Sequence, residues 1–375
     1  KQLLAKVHRV VIKLGSNVLT TPSGKLDRKV FRDVVQSVAQ LRAKGIDCIL
    51  VSSGAIAAGV GRLGLKERPR HLEQEQASAA IGQIRLMGLY DKLFAGHNMP
   101  VAQVLLTHGD LRNRSHFVRA RQTLNSVLEY GAIPIINEND TTVVDEIKFG
   151  DNDYLSSLVT NLAQADLLVI LTDIEGFYDS DPRANPDARL IGLLENIDEE
   201  TEKRAQGPAG RMGRGCMVTK LKAAKTAATF GVPTVIANGK KPGVLQAVFA
   251  GEPVGTLTLP TKNKLTGRKH WIAYTLKPQG MLVLDDGARD ALEQRLRSLL
   301  PSGIMSVEGT FDAGECVSCR DASGNEFARG LSAYSAEAVN KIKGLKTAQI
   351  SAVLGCPGNR AVIHRDDLVV FSALK

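Results

Sequence analysis

Two clusters of carboxylates and amides bracket one loop of this 375-residue chain. Asn137-Glu138-Asn139-Asp140 follows the short apolar run Ile133-Pro134-Ile135-Ile136. Gly150-Asp151-Asn152-Asp153 then opens a helical pattern at Tyr154-Leu155-Ser156-Ser157-Leu158. Lys13 lies inside the strand-like run Arg9–Leu14, where a lysine is costly unless it meets an anion. Ser53-Gly54 ends another apolar run, and Gly207–Gly215, with four glycines in nine residues, leads into Lys220 in the first turns of a helix. Glycine-rich backbone and helix N-termini offer N–H groups to phosphate oxygens. Two lysines from distant segments can neutralise a transferring phosphoryl group, and a carboxylate such as Asp153 can hold both ammonium groups in place. The pattern is that of a distributed anion site. Each residue alone has a plainer reading: turn formers and N-caps for the Asp and Asn residues, a strand-edge lysine for Lys13, an exposed helix lysine for Lys220.

The elements that must position these residues alternate. Strand patterns at Arg9–Leu14, Ile46–Val51, Val101–Leu106, Ile133–Ile136 and Leu167–Leu171 are separated by helical spacing. Asp27 is placed to cap a helix carrying Val30, Val34, Val38 and Leu41, closed by Gly45. Helical patterns cover Glu75–Phe94, Arg114–Tyr130 and about Asp153–Ala163, and another begins near Met217. Val232–Ala237 and Thr256–Leu259 read as closing strands. This rhythm predicts an α/β fold, a doubly wound and mostly parallel sheet with helices on both faces. In such sheets ligands lie outside the carboxyl ends of the strands, where the polar clusters fall.

Beyond a basic linker the rhythm changes. Met281–Leu284, Gly303–Phe311, Gly314–Arg320, Phe327–Tyr334 and Ala361–His364 read as short strands, with helical patterns near Ala288–Leu299 and Ala336–Ile342. The predicted organisation is a domain over 1–260, a basic linker over 261–278 and a small, mostly β domain over 279–375.

The net charge of +9 is unevenly placed. Residues 279–375 carry eleven Lys/Arg and twelve Asp/Glu, so the excess belongs to the first domain and linker, as expected for handling small anions. The hydrophobic fraction of 43% and charged fraction of 23% are those of an ordinary globular protein. No apolar run reaches membrane-spanning length and no signal-peptide pattern opens the chain. Five cysteines, few and odd in number, suit a reducing cytoplasm.

Some motifs point away from other chemistries. Gly59-Val60-Gly61-Arg62-Leu63-Gly64 is a formal GxGxxG, but it does not form the tight turn directly after a strand that a dinucleotide site needs. No GxxxxGK[ST] occurs. Cys316-Val317-Ser318-Cys319 is a lone CxxC in a strand pattern, where residues three apart face opposite sides. The histidines show no ligand spacing.

Taken together, Val11-Ile12-Lys13-Leu14-Gly15-Ser16, Val51-Ser52-Ser53-Gly54-Ala55-Ile56-Ala57, Asn137-Glu138-Asn139-Asp140, Gly150-Asp151-Asn152-Asp153 and Leu171-Thr172-Asp173 resemble the glutamate 5-kinases of the amino-acid kinase superfamily. The resemblance covers essentially the whole chain, because residues from about 280 onward look like the PUA domain that bacterial members commonly carry. It implies transfer of a phosphoryl group from ATP to L-glutamate, the first step of proline biosynthesis, with Mg²⁺ accompanying ATP. It implies that Lys13 and Lys220 stabilise the moving phosphoryl group and that Asp153 orients them. Ser53, Gly54, Asn137, Asp140 and Asn152 would hold glutamate, whose ammonium group needs carboxylates and amides. Thr172, Asp173 and the segment Arg214, Gly215, Cys216, Met217, Val218, Thr219 and Lys220 would line the nucleotide pocket, Lys13 reaching the same phosphates. It further implies a homo-oligomer (dimer or tetramer), inhibition by proline and a hand-off to a glutamyl-phosphate reductase.

One departure stands out. Where the family's loop carries a small hydroxyl residue and a glycine, this chain has Arg214 and Cys216, so nucleotide affinity is expected to depart from the family's. Three other readings fit the residues less well. An acetylglutamate kinase fits the acidic clusters less well, since an acylated amine carries no charge. RNA binding through the PUA-like domain is disfavoured by that domain's near-neutral charge. A catalytically dead sensor is disfavoured by the intact Lys13, Lys220 and Asp153.

Overall fold

Six strands run parallel because each apolar run leads through a helix before the next strand begins. They are β1 (Arg9–Leu14), β2 (Asp47–Ser52), β3 (Val101–Leu106), β4 (Ile133–Glu138), β5 (Leu167–Thr172) and β7 (Thr234–Asn238). In this computed structural model, which describes residues 4–142, 151–182, 184–206, 217–260, 269, 272–273, 276–346, 349–354 and 361–374, they lie in the order β3-β4-β2-β1-β5-β7. Two short strands finish the sheet beyond β7: β8 (Thr256–Thr258), antiparallel to β7, and β6 (Leu193–Leu194), parallel to β8. The two-residue β6 was not anticipated from sequence. The chain folds into two units, 1–262 and 263–375.

Alternation along the strands sends successive side chains to opposite faces. Val10, Ile12 and Leu14 of β1 pack on one side with α2 (Arg28–Ala43) and α4 (Leu72–Ala95), through Phe31, Val34, Leu86, Tyr90 and Phe94. Val11 faces the other side with α7 (Asp151–Leu162) and α9 (Met217–Thr229), through Leu155, Val159, Leu221 and Ala227. Lys13 shares the parity of Val11, so the pleat alone directs it toward α7 and α9. Asp27 caps α2 as expected, its carboxylate accepting from the backbone N–H groups of Lys29 and Val30. The order turns around at β1 and β5, since the chain runs outward from β1 through β2 on one side and β5 on the other. That reversal opens the crevice in which doubly wound sheets receive ligands.

The second unit holds a five-stranded sheet in the order β10-β9-β11-β12-β13. Its strands are β9 (Gly280–Leu284), β10 (Ile304–Gly309), β11 (Cys316–Arg320), β12 (Glu326–Leu331) and β13 (Leu368–Val370). All pairs are antiparallel except β9 with β11. The expected strand at Ala361–His364 is a correction. Only Ile363 makes an isolated bridge, to Leu299, and the edge strand is β13 instead. Val362 and Ile363 are buried in this unit's core, so their apolar character reports packing rather than sheet pairing.

Candidate active site

The buried cluster at the sheet's carboxyl edge is built on Asp153. It stands in the first turn of α7 and is 1% exposed. Nζ of Lys13 lies 2.5 Å from its Oδ1 and Nζ of Lys220 lies 3.3 Å from its Oδ2. The hydroxyl of Thr219 donates to the same Oδ2 at 2.6 Å. Lys13 and Lys220 are themselves almost fully buried, at 5% and 3% exposure. Two ammonium groups against one carboxylate leave a buried excess of one positive charge, which suits an anion. Burial works against the charge of Asp153, but Lys13, Lys220 and the Thr219 hydroxyl overcome it and hold the carboxyl down at about 2. Burial likewise pushes Lys13 below its ordinary value. Asp153 counters that shift, and the charge of Lys220 adds to it.

The backbone makes room beside this cluster at Gly15. It donates its N–H to the carbonyl of Leu171, and a Cβ there would sit 3.5 Å from Nζ of Lys13. Across the β1–β5 crevice, Thr172 donates its hydroxyl proton to Asp173 Oδ1 at 3.2 Å, and Asn17 donates to Asp173 Oδ2 at 3.1 Å. Gly239 donates its N–H to the Thr172 carbonyl, and a side chain there would collide with Leu171 and Val18.

A chain of amides occupies the β2–β4 side. Asn152 donates from Nδ2 to Ser53 Oγ at 3.1 Å and to Asn137 Oδ1 at 3.0 Å. Asn137 Oδ1 also accepts from the backbone N–H of Glu138, and Asn137 Nδ2 donates to Oε1 of Gln83 at 3.0 Å. Gly54 turns the chain at φ +106° into α3 (Ala55–Leu63), a conformation only glycine adopts easily, and its helix start carries no side-chain cap. Gly59 and Gly82 let α3 and α4 touch: a Cβ at Gly59 would meet the Ser78 carbonyl oxygen at 1.8 Å, and one at Gly82 would meet that of Ala55 at 1.8 Å. The formal GxGxxG is therefore a helix-packing feature, with Gly64 closing α3 in the left-handed conformation.

Of the residues predicted from sequence, the structure brings Lys13, Asp153 and Lys220 into one cluster, and Ser53, Asn137 and Asn152 into another. Gly54 adjoins the second. Asp140 lies half-buried in the turn after β4, and Thr172 and Asp173 end β5. Met217 and Val218 occupy the first turn of α9, Met217 against the hydrophobic core, while the Thr219 hydroxyl serves Asp153. Arg214, Gly215 and Cys216 lie outside the described residues. Sequence reasoning missed Gln83, although a glutamine in the apolar stripe Ala79-Gly82-Leu86 of α4 was a signal. It placed Glu138 in the Asn137–Asp140 cluster without a role of its own; that side chain is buried, and its Oε2 lies 3.8 Å from Nε2 of His108, itself edge-on to the Tyr154 ring.

The comparisons agree with this architecture. The amino acid kinase family model matches residues 8–238, and the PUA domain model matches residues 280–354. A glutamate 5-kinase of Geobacter sulfurreducens is 54% identical over 98% of this chain and 99% of its own length. One from Pelobacter propionicus is 52% identical over 99% of both chains, and one from Caldanaerobacter subterraneus subsp. tengcongensis 48% over 96% of this chain and 97% of its own. A kinase-family match that spans the six strands β1 to β5 and β7, and relatives aligned from end to end through both units, place the chain in the glutamate 5-kinase family of amino acid kinases.

Proposed function

We propose that this chain transfers the γ-phosphoryl group of ATP to the γ-carboxylate of L-glutamate, giving ADP and γ-glutamyl phosphate, the first step of proline biosynthesis. The observation that carries the reading is the buried Lys13–Asp153–Lys220 cluster at the sheet's switch point. A carboxylate oxygen attacks the γ-phosphorus, and the bond from that phosphorus to the bridging oxygen breaks, its electron pair leaving with ADP. No proton moves, because the acceptor carboxylate is already ionised, so no general base is required. Lys13 and Lys220 neutralise the charge spread over the phosphoryl oxygens, and Asp153 keeps the two ammonium groups from separating.

Ser53, Gly54, Asn137, Asp140 and Asn152 are assigned to glutamate. Thr172, Asp173 and residues Arg214 to Lys220 are assigned to the nucleotide. Mg²⁺ enters with the substrate as MgATP, held mainly by phosphate oxygens and water. Asp153 itself is already committed to two lysines and Thr219. The kinase domain is assigned to 1–260, the linker to 261–278 and the PUA domain to 279–375. A cytoplasmic setting suits the ATP co-substrate and the free thiols of Cys48, Cys316 and Cys319. Among the described residues no helix is long and apolar enough to cross a membrane. Inhibition by proline, a homo-oligomer and transfer of the labile product to a reductase complete the reading as proposals.

The test is hydroxamate formation by purified protein with MgATP and hydroxylamine, comparing L-glutamate with N-acetyl-L-glutamate. Product from glutamate alone supports the reading. Product from the acetylated substrate alone would move the chain to a neighbouring activity.

A further inference from the structure

The direction of the amide chain on the β2–β4 side is set by one backbone group. The N–H of Glu138 can only donate, and it donates 2.9 Å to Asn137, so the atom that receives it must be the side-chain oxygen. Asn137 therefore presents its NH₂ to Gln83, and Gln83 must answer with its own oxygen. On its other side the same Asn137 oxygen receives Asn152, which must answer with its NH₂. The two ends of the chain are thereby fixed with opposite character. Gln83 is left with Nε2, a pair of donors, and Asn152 with Oδ1, an acceptor. Both atoms are buried without a hydrogen-bond partner, and Gln83 is 9% exposed. A buried unpaired polar atom is costly, so two beside a substrate site call for a ligand that carries the complementary groups.

The surroundings of Gln83 add a second donor. Gly82 lies directly against Ala55, so Gln83 stands beside the first turn of α3. That helix begins at Gly54 with no side-chain cap, and its first N–H groups have no partner within the helix. Helix N-terminus and glutamine amide together form a set of neutral donors suited to a carboxylate. The carbonyl oxygen of Asn152 suits an ammonium. Asn137 lies on β4, two strands from β1 and Lys13 in the sheet order, about 10 Å at ordinary strand spacing. An extended amino dicarboxylate can therefore hold one carboxylate at this end and offer the other to the lysine cluster.

We infer that Gln83 is a specificity-determining residue that reads the α-carboxylate of the acceptor through Nε2, with the uncapped start of α3, while Asn152 Oδ1 receives the α-ammonium. The inference rests on the proposed glutamate kinase reading and names which end of the substrate each group holds. It separates Gln83 from a merely supporting role, in which only its Oε1 would matter to Asn137.

Gln83→Glu tests this separation, because it keeps an oxygen for Asn137 and replaces the donor pair by a second oxygen. The assay is ADP release with L-glutamate and with L-glutamate 1-amide, whose α-carboxamide can donate where the α-carboxylate cannot. The wild-type enzyme should prefer glutamate. In Gln83→Glu the ratio of kcat/KM for glutamate to that for the 1-amide should fall by about tenfold to a hundredfold, with the KM for ATP unchanged. A ratio within about a factor of two of wild type, whatever the absolute rates, overturns the inference. If the buried charge prevents folding, Gln83→Met, of similar size and without donors, takes its place, with a fall of about tenfold expected and an unchanged ratio equally decisive against it. Wild-type protein inert toward glutamate would instead overturn the kinase reading, and the assignment of Gln83 with it.

Discussion

The ammonium group of Lys13 lies 2.5 Å from Oδ1 of Asp153, with both side chains sealed from solvent. A buried ion pair of this kind is poor evidence for stability as such, since burying both charges costs about what their attraction returns. Its presence at the carboxyl edge of the two central strands makes sense as preorganisation. Lys13 arrives on a strand whose pleat fixes its direction, and Asp153 arrives on a helix that starts just outside the strand ends. The third member, Lys220, comes from α9 and meets the other carboxylate oxygen.

Replacing Asp153 by Asn tests that arrangement. The two ammonium groups would then face each other without the carboxylate that bridges them, so kcat should fall by about a hundredfold or more. Removing one partner from a buried pair should also lower stability, by about 3–5 kcal/mol. Steady-state kinetics together with chemical denaturation check both. Unaltered kcat in a folded variant would remove Asp153 from the mechanism.

The same cluster makes an unusual prediction about pH. Lys13 titrates below its ordinary value of 10.5, chiefly because it is buried. Between its folded and unfolded values the unfolded chain binds more protons, so this group makes stability rise with pH across that window. Activity should do the opposite, because a neutral Lys13 no longer offsets phosphoryl charge. kcat/KM is expected to turn down on the alkaline side below pH 10.5, and further down in the Asp153→Asn variant. Asp153 contributes with the other sign. Its stabilisation is complete above the ordinary carboxyl range and is lost only as pH falls toward about 2, so it should produce no limb in the neutral region. An alkaline limb that stays in place in Asp153→Asn would count against Lys13 as its source.

Much of this was legible in the sequence, for physical reasons that differ from residue to residue. Lys13 was visible because a lysine amid Val10, Val11, Ile12 and Leu14 breaks the apolar pattern at a cost. Asp153 and Asn152 were visible as polar residues packed before an apolar helix. Gln83 carried the same kind of signal, a polar group in a buried stripe, but helices tolerate single glutamines and its partner lies on another element. The direction of the Asn137–Asn152 chain was not legible at all, because it depends on which atom of Asn137 faces the Glu138 N–H. At Ala361–His364 the apolar residues fill the core without entering the sheet, a distinction that periodicity over so short a run cannot make.

The formal GxGxxG supplies a contrast between two glycines of one motif. A side chain at Gly59 would meet the Ser78 carbonyl at 1.8 Å, whereas at Gly61 nothing lies within 4 Å. Gly59→Ala should therefore force α3 and α4 apart and cost about 1–3 kcal/mol or more. Gly61→Ala should be neutral or slightly stabilising, since alanine favours a helix. Thermal melts of both variants, with the KM for ATP of the folded ones, decide between packing and nucleotide binding. Equal melting temperatures, or an ATP effect confined to Gly61, would contradict the packing account.

Cys316 and Cys319 offer the last test. They occupy β11 with odd spacing, so they point to opposite faces of the five-stranded sheet: Cys319 enters the main core of that unit, and Cys316 packs with Ile272, Ala273 and Val369. Two thiols on opposite faces cannot share a metal or close a disulfide without breaking the strand. Burial pushes both thiols up, Cys316 to about 12, so neither supplies thiolate at neutral pH. Alkylation of the native protein at pH 8, mapped by mass spectrometry, should leave both unmodified, and both should react fully in denaturant. Serine at Cys319 should destabilise by about 1–3 kcal/mol, because a hydroxyl enters a fully buried apolar site. Rapid native labelling of either residue, or zinc retained stoichiometrically through these two thiols, would refute the assignment of the pair to packing.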